Sequence, residues 1–261
     1  MKKLLILLPL LALVALPVSA NHSWGGYHWA RTSNPFTLKL GDNLSSAWDP
    51  YLNTTSSDWS ASAVLDTTIV PGAALRHRSS NKDCTPGTGV VEVCNKTYGN
   101  NGWLGLAQIW ISGGHITKGA TKVNDTYFNN SKYNTAAWRN LVMCQEVGHT
   151  LGLDHQDENF SNPNLGTCMD YTNDPTSNQH PNQHDYDQLA LIYSHLDSFT
   201  TIKQSVANLN ASIIGALNSL NSDEHADWGQ ELRKSSDGRG SLYVRDLGRG
   251  EKVFTFVIWA N

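Results

Sequence analysis

The chain has 261 residues, with 19 Lys and Arg against 23 Asp and Glu and a formal net charge of −4. That length supports one substantial core and a small appendage. The mild acidity excludes the basic footprint that nucleic acid or an anionic lipid surface would require.

The N-terminal stretch MKKLLILLPLLALVALPVSA carries Lys2 and Lys3, an apolar run too short and too poorly flanked for a membrane span, and Val18-Ser19-Ala20 as a small-residue cleavage site. Residues 1–20 therefore read as a signal peptide, and the expected location is extracellular. No other stretch is apolar enough to span a bilayer, so no membrane association is expected after cleavage. Loss of Lys2 and Lys3 takes the charge from −4 to −6. Four cysteines, Cys84, Cys94, Cys144 and Cys168, then meet an oxidising environment and have three ways to form two disulfides. The expected pairs are Cys84–Cys94, which closes the loop CTPGTGVVEVC, and Cys144–Cys168, which ties a helix to the segment TCMDY.

In chain order, NPFTLKLGDNL alternates as a strand, and SSAWDPYLNTTSSDWSAS follows with Trp48, Leu52 and Trp59 at near-helical spacing. AVLDTTIVPG is a strand stopped by Pro71-Gly72. Beyond the cysteine loop, GWLGLAQIWIS and HITKGATKVND are strand-like runs joined at Gly113-Gly114. NTAAWRNLVMCQEVGHTLGL is the clearest helix, with Asn134-Thr135 to cap it and Gly152 to end it. HDYDQLALIYSHL and TIKQSVANLNASIIGALNSLN read as two further helices. GSLYVRDLGRGEKVFTFVIWAN reads as a hairpin turning at Gly248-Arg249-Gly250.

The chemistry lies in the clearest helix. Gln145 and His149 are one turn apart and can point at a single ion, and Glu146 can reach a water on it. Gly152 permits a backbone of positive φ, which lets His155 swing back as a further ligand. Such a one-sided set suits a catalytic zinc, with Glu146 as the base that moves a proton from water to the leaving amine.

The run QEVGHTLGLDH resembles the metzincin signature H-E-x-x-H-x-x-G-x-x-H in every fixed position but the first. GTCMDYT supplies Met169 for that family's methionine turn. The order of elements from Asn34 to Leu196 is similar to the matrixin-type catalytic domain, with LGLAQIWIS and HITKGATKVND in place of the strands that pass the cleft. The resemblance implies an α+β fold, a twisted mixed sheet with an active-site helix over 21–197. A C-terminal helix and β-hairpin extension over 198–261 remains outside it.

For function, the resemblance implies a monomeric zinc metalloendopeptidase acting on protein or peptide substrates. His149, His155 and Gln145 would hold Zn2+ and Glu146 would be the base. Tyr171, two residues beyond Met169, would be an extra ligand or a donor to the tetrahedral intermediate. Family members often carry an N-terminal propeptide, and the first strand here follows Ala20 too soon for one. A glutamine amide offers zinc only a neutral oxygen, so affinity is expected to fall by at least about 10–100-fold relative to a third imidazole.

The competing reading is a catalytically inactive relative that binds peptides or proteins through the cleft. A third reading is a carbohydrate-binding surface built from Trp24, Trp29, Trp228 and Trp259. Among other candidates, Asp154, Asp157 and Glu158 are weighed as a structural Ca2+ site against simple exposed acids. His180 and His184 are weighed as loop residues near the cleft, His115 as a structural or exposed residue, and Cys144 as a thiolate ligand if unpaired.

Overall fold

The structure, a computed structural model, describes residues 22–73, 84–202, 223 and 225–261. The expected signal peptide lies outside them, as does the helix expected over 201–221 apart from its first two residues.

The strand-like runs form where their alternation or apolar character requires burial. In β2 (Phe36–Asn43) the inward residues Phe36, Leu38 and Leu40 alternate with exposed Thr37 and Lys39. Helix α1 (Asp49–Trp59), with Pro50 in its first turn, buries Leu52 and Trp59 and leads to β3 (Leu65–Pro71). The next strand, β4 (Val90–Lys96), was not expected, because Val90, Val91 and Val93 lie inside the cysteine loop. It is buried over its first five residues, the pattern of a strand covered on both faces. β5 (Trp103–Ser112) and β6 (His115–Asn124) form the expected hairpin. The two-residue β1 (His28–Trp29) pairs parallel with the start of β6.

After the short α2 (Asp125–Phe128) comes α3 (Ala136–Thr150), whose Thr135 side chain accepts from the Trp138 amide. Helix α4 (Gln183–Ile192) is opened by a capping box between Asn182 and Asp185. β7 (Gln230–Lys234), β8 (Gly240–Gly248) and β9 (Glu251–Trp259) complete the chain. β7 is polar and was not anticipated, whereas β8 and β9 are the expected hairpin, turning through Gly248, Arg249 and Gly250 with φ of 79°, 57° and 79°.

All of these strands belong to one mixed sheet ordered β3-β2-β4-β6-β5-β9-β8-β7, with β1 beside β6. The pairs from β3 to β6 are parallel, and those from β6 to β7 are antiparallel. The hairpin anticipated as an extension thus continues the central sheet, which crosses the division expected near Ser198. Helices α1 and α3 pack on each other, and the main core joins Trp59, Ala107, Val147, Met169 and Phe256. On the opposite face, Trp110 packs with the Cys84–Cys94 bridge, and Trp103 and Leu106 pack with Trp228 and Tyr243. Both expected disulfides form. Among the described residues no helix is long and apolar enough to cross a membrane.

Candidate metal centre

Helix α3 is buried on every side from Leu141 to Thr150, so its polar residues are held in the middle of the protein. Gly148 makes this possible, since a Cβ there would lie 2.6 Å from Met169 Sδ and 2.8 Å from the Trp59 ring. Met169 therefore lies directly against the helix. Gly152 has the anticipated positive φ, 100°, and a side chain there would strike the Tyr27 carbonyl at 2.6 Å. The chain then turns back and brings His155 to His149.

The two imidazoles meet through Nε2, at 3.1 Å. His149 Nδ1 lies 2.9 Å from the Leu153 carbonyl, and His155 Nδ1 lies 3.5 Å from both Asp154 Oδ1 and Glu158 Oε1. His149 Nδ1 thus faces an acceptor and carries a proton, which leaves its Nε2 as an acceptor, while His155 Nδ1 lies near two carboxylates without a hydrogen-bond partner. An Nε2–Nε2 approach of 3.1 Å is satisfied by a proton on one ring, which makes it a hydrogen bond, or by a cation shared between two lone pairs. Donors bound to a tetrahedral zinc at about 2.0–2.1 Å are about 3.3 Å apart, so the observed spacing fits.

Gln145 and Glu146 complete the inner site. Gln145 Nε2 donates to the Cys168 carbonyl at 2.9 Å, which turns its oxygen away. Among the described residues, Gln145 Oε1 and Glu146 Oε2 are buried without a hydrogen-bond partner, a costly state that a bound cation would relieve. Glu146 lies against Gly105 of β5, where an added Cβ would come within 3.0 Å of Oε1. Burial raises the Glu146 carboxyl well above its ordinary value. Burial and then the neighbouring His155 depress His149. Burial also opposes charge on His155, but the Asp154 and Glu158 carboxylates outweigh it and raise that residue.

Tyr171 is brought to the same place. Its ring lies 4.0 Å from the His155 ring and stacks on Phe160 at 4.4 Å, and burial raises its hydroxyl well above the usual phenol value.

What covers the site was not foreseen. β9 pairs along β5 in nine registered positions, with Phe256 opposite Ala107. The Phe256 ring stacks on the His149 imidazole, with centroids 4.0 Å apart and planes 12° apart. Gly240, at the start of β8, lies so close to Tyr171 that a Cβ would fall 2.1 Å from the hydroxyl. From β7, Arg233 donates to both oxygens of Asp154 and lies 2.7 Å from Glu158 Oε1. Gln145, Glu146, His149 and His155 are in consequence 0, 1, 1 and 8 % exposed. The only sequence signal for this cover was the hairpin itself, and a hairpin does not declare its neighbour.

Several expectations require correction. Asp154 and Glu158 are both engaged by Arg233 and Asp157 accepts from the Asn159 amide, so the structure brings these acids to other partners. Trp24, Trp29 and Trp228 are buried and Trp259 is half-buried, so they offer no sugar-binding surface. Cys144 is in its disulfide and supplies no thiolate. His180 is 2.7 Å from Asp58, and His184 stacks on His22, so neither joins His149.

No protein-family model matches the sequence, and no curated protein matches it. Among solved structures, the chain is similar to high choriolytic enzyme 1, a hatching enzyme zinc-protease from the medaka fish Oryzias latipes. The match has 9 % sequence identity and a TM-score of 0.36, and covers 67 % of this chain and 99 % of that one.

Proposed function

We propose that the chain is a secreted zinc-dependent metalloendopeptidase whose resting form is closed by its own C-terminal strands. The observation that carries this reading is the approach of His149 and His155 through their Nε2 atoms at 3.1 Å, one turn from a buried glutamine oxygen without a hydrogen-bond partner. These donors fit zinc. His149, His155 and Gln145 would hold it, and when bound it supplies a Lewis acid and makes water acidic enough to lose a proton near neutral pH.

Glu146 is the base of this reading, and its environment defines the state of the protein. In the closed form burial favours its protonated state, in which it cannot take a proton from water. Displacing Phe256 and β9 would admit water, ionise Glu146 and free the outer edge of β5. An extended peptide can take that edge by strand addition, in the position β9 now occupies. Tyr171, released from Gly240, would then offer its hydroxyl as a donor to the developing oxyanion.

The rival reading, a non-catalytic chain that grips peptides through the cleft, is favoured by the glutamine and by the completeness of the β5–β9 pairing. The test is hydrolysis of an unfolded protein substrate by zinc-loaded chain, beside Glu146→Gln. Turnover that disappears in Glu146→Gln while zinc content is unchanged supports the enzyme. Absence of turnover both in the wild type and in Phe256→Ala, with zinc bound in each, would remove it.

A further inference from the structure

We propose that His28, His115, His195 and Asp197 form a second metal site, distinct from the centre on α3, that takes zinc as a structural ion. Four side-chain atoms from three separate segments converge there. Asp197 Oδ1 lies 3.5 Å from His28 Nε2, 3.2 Å from His115 Nε2 and 3.9 Å from His195 Nε2. His195 Nε2 in turn lies 3.1 Å from His28 Nε2. These separations scatter about the roughly 3.3 Å expected between donors of a tetrahedral zinc. His28, His115 and Asp197 present donor atoms within 4.8 Å of one another, a set of zinc type, and His195 Nε2, held against His28, would be the fourth donor that closes the shell.

The surroundings orient these donors toward a common point. His28 Nδ1 lies 3.1 Å from the Gly26 carbonyl, which fixes the proton on Nδ1 and turns the Nε2 lone pair inward. The other carboxylate oxygen of Asp197 is fully engaged: Oδ2 accepts from the Arg31 amide at 3.1 Å and from Arg31 Nη1 at 3.0 Å. Arg31 also donates to the His195 carbonyl, and its own carbonyl accepts from the Asp197 amide at 2.9 Å. Arg31 is thereby the counter-charge and the clamp for Asp197, and Oδ1 is left to face the three histidines. The cluster lies partly at the surface, with the His115 and His195 side chains 22 % and 55 % exposed, so an ion can enter without opening the core.

An ion here would pin β1 to the start of β6 and to the segment after α4. The strip of chain just before β1 braces the end of α3: Trp24 Nε1 donates to the His149 carbonyl, and the His22 carbonyl accepts from the Asp154 amide. Fixing β1 therefore steadies the segment that supports the inner centre.

The test counts zinc in the full chain after equilibrium dialysis against zinc alone, comparing the parent with His115→Asn/His195→Asn and, separately, with His155→Asn. Both residues changed in the double variant are partly exposed, so it is expected to fold like the parent, as far-UV circular dichroism would verify. The expected result is a loss of one zinc per chain in the double variant, a loss that adds to whatever His155→Asn removes when all three changes are combined in His115→Asn/His155→Asn/His195→Asn. A chelator should lower the melting temperature of His155→Asn but leave that of His115→Asn/His155→Asn/His195→Asn unchanged. Equal zinc content in the parent and the double variant would overturn the proposal and reduce the cluster to a hydrogen-bonded one. That comparison is independent of whether the inner centre binds metal.

Discussion

The protein gathers imidazoles in two places, and the two differ in cover more than in chemistry. The inner pair, His149 and His155, lies under Phe256 and beside Tyr171, whereas the outer group of His28, His115 and His195 faces partly into solvent. Each has an arginine that holds a carboxylate behind it, Arg233 on Asp154 in one and Arg31 on Asp197 in the other. Similar donors under different burial teach what burial contributes. It raises Glu146 and depresses His149 in the inner site, and it makes exchange with the medium depend on moving a strand.

The largest effect is expected from Phe256→Ala, which gives the inner pair an exposure like that of the outer group. Removing a fully buried phenylalanine costs about 3–5 kcal/mol of stability, measurable by denaturant unfolding. Zinc release from the inner pair to a chelator should accelerate toward the rate of the outer group. An unchanged release rate in the folded variant would show that cover does not distinguish the two.

Gln145→His sharpens the comparison from the other side by giving the inner pair a third imidazole. Its Nδ1 can donate to the Cys168 carbonyl in place of the amide that does so now, which would leave Nε2 for the ion. Zinc affinity should rise at least about 10-fold, or about 1.4 kcal/mol, by competition with a chromogenic chelator. Unaltered affinity would mean that the cover leaves no room for the ligand.

A smaller effect is expected from Arg233→Ala, which removes the inner site's counterpart to Arg31. At neutral pH the loss should be about 1 kcal/mol, a charge-assisted hydrogen-bond contribution discounted because the arginine is over a third exposed. Burial pulls the Asp154 carboxyl up, but His155 and Arg233 outweigh it and hold it below the carboxylate range. A depressed carboxyl contributes stability that is present above its unfolded value, near about 4, and is lost as pH falls through the folded value. The difference between the parent and Arg233→Ala should accordingly be constant from pH 7 to 5 and shrink below about pH 4. A constant difference down to pH 2 would sever Arg233 from Asp154.

The parts of this molecule that were legible in the sequence are those set by neighbours along the chain. Thr135, the spacing of the apolar residues and Gly152 define α3, and the helical turn alone sets Gln145 above His149. β4 was hidden because Val90, Val91 and Val93 do not alternate, as befits a parallel strand covered on both faces. The outer group was hidden because its members come from β1, β6 and the segment after α4, with only His195-x-Asp197 as a local trace. Phe256 gave no sign of its role, since a strand's own pattern reports which face is buried and not which strand will lie beside it.

The position of β9 between β5 and β8 also has a bearing on the order in which the chain assembles. Trp103 is paired with Trp259, so this seam joins segments far apart in sequence, whereas β5, β6 and α3 follow one another closely. Contacts between near neighbours lose less loop entropy and form earlier. The imidazoles of α3 and its following turn are then brought together while the flank of β5 is still bare, and the last strand arrives as a stopper. An ion captured in that interval would be kinetically trapped. One that arrived later would have to wait for the seam to unzip, so on this reading the metal content of the finished protein would record the medium in which it folded.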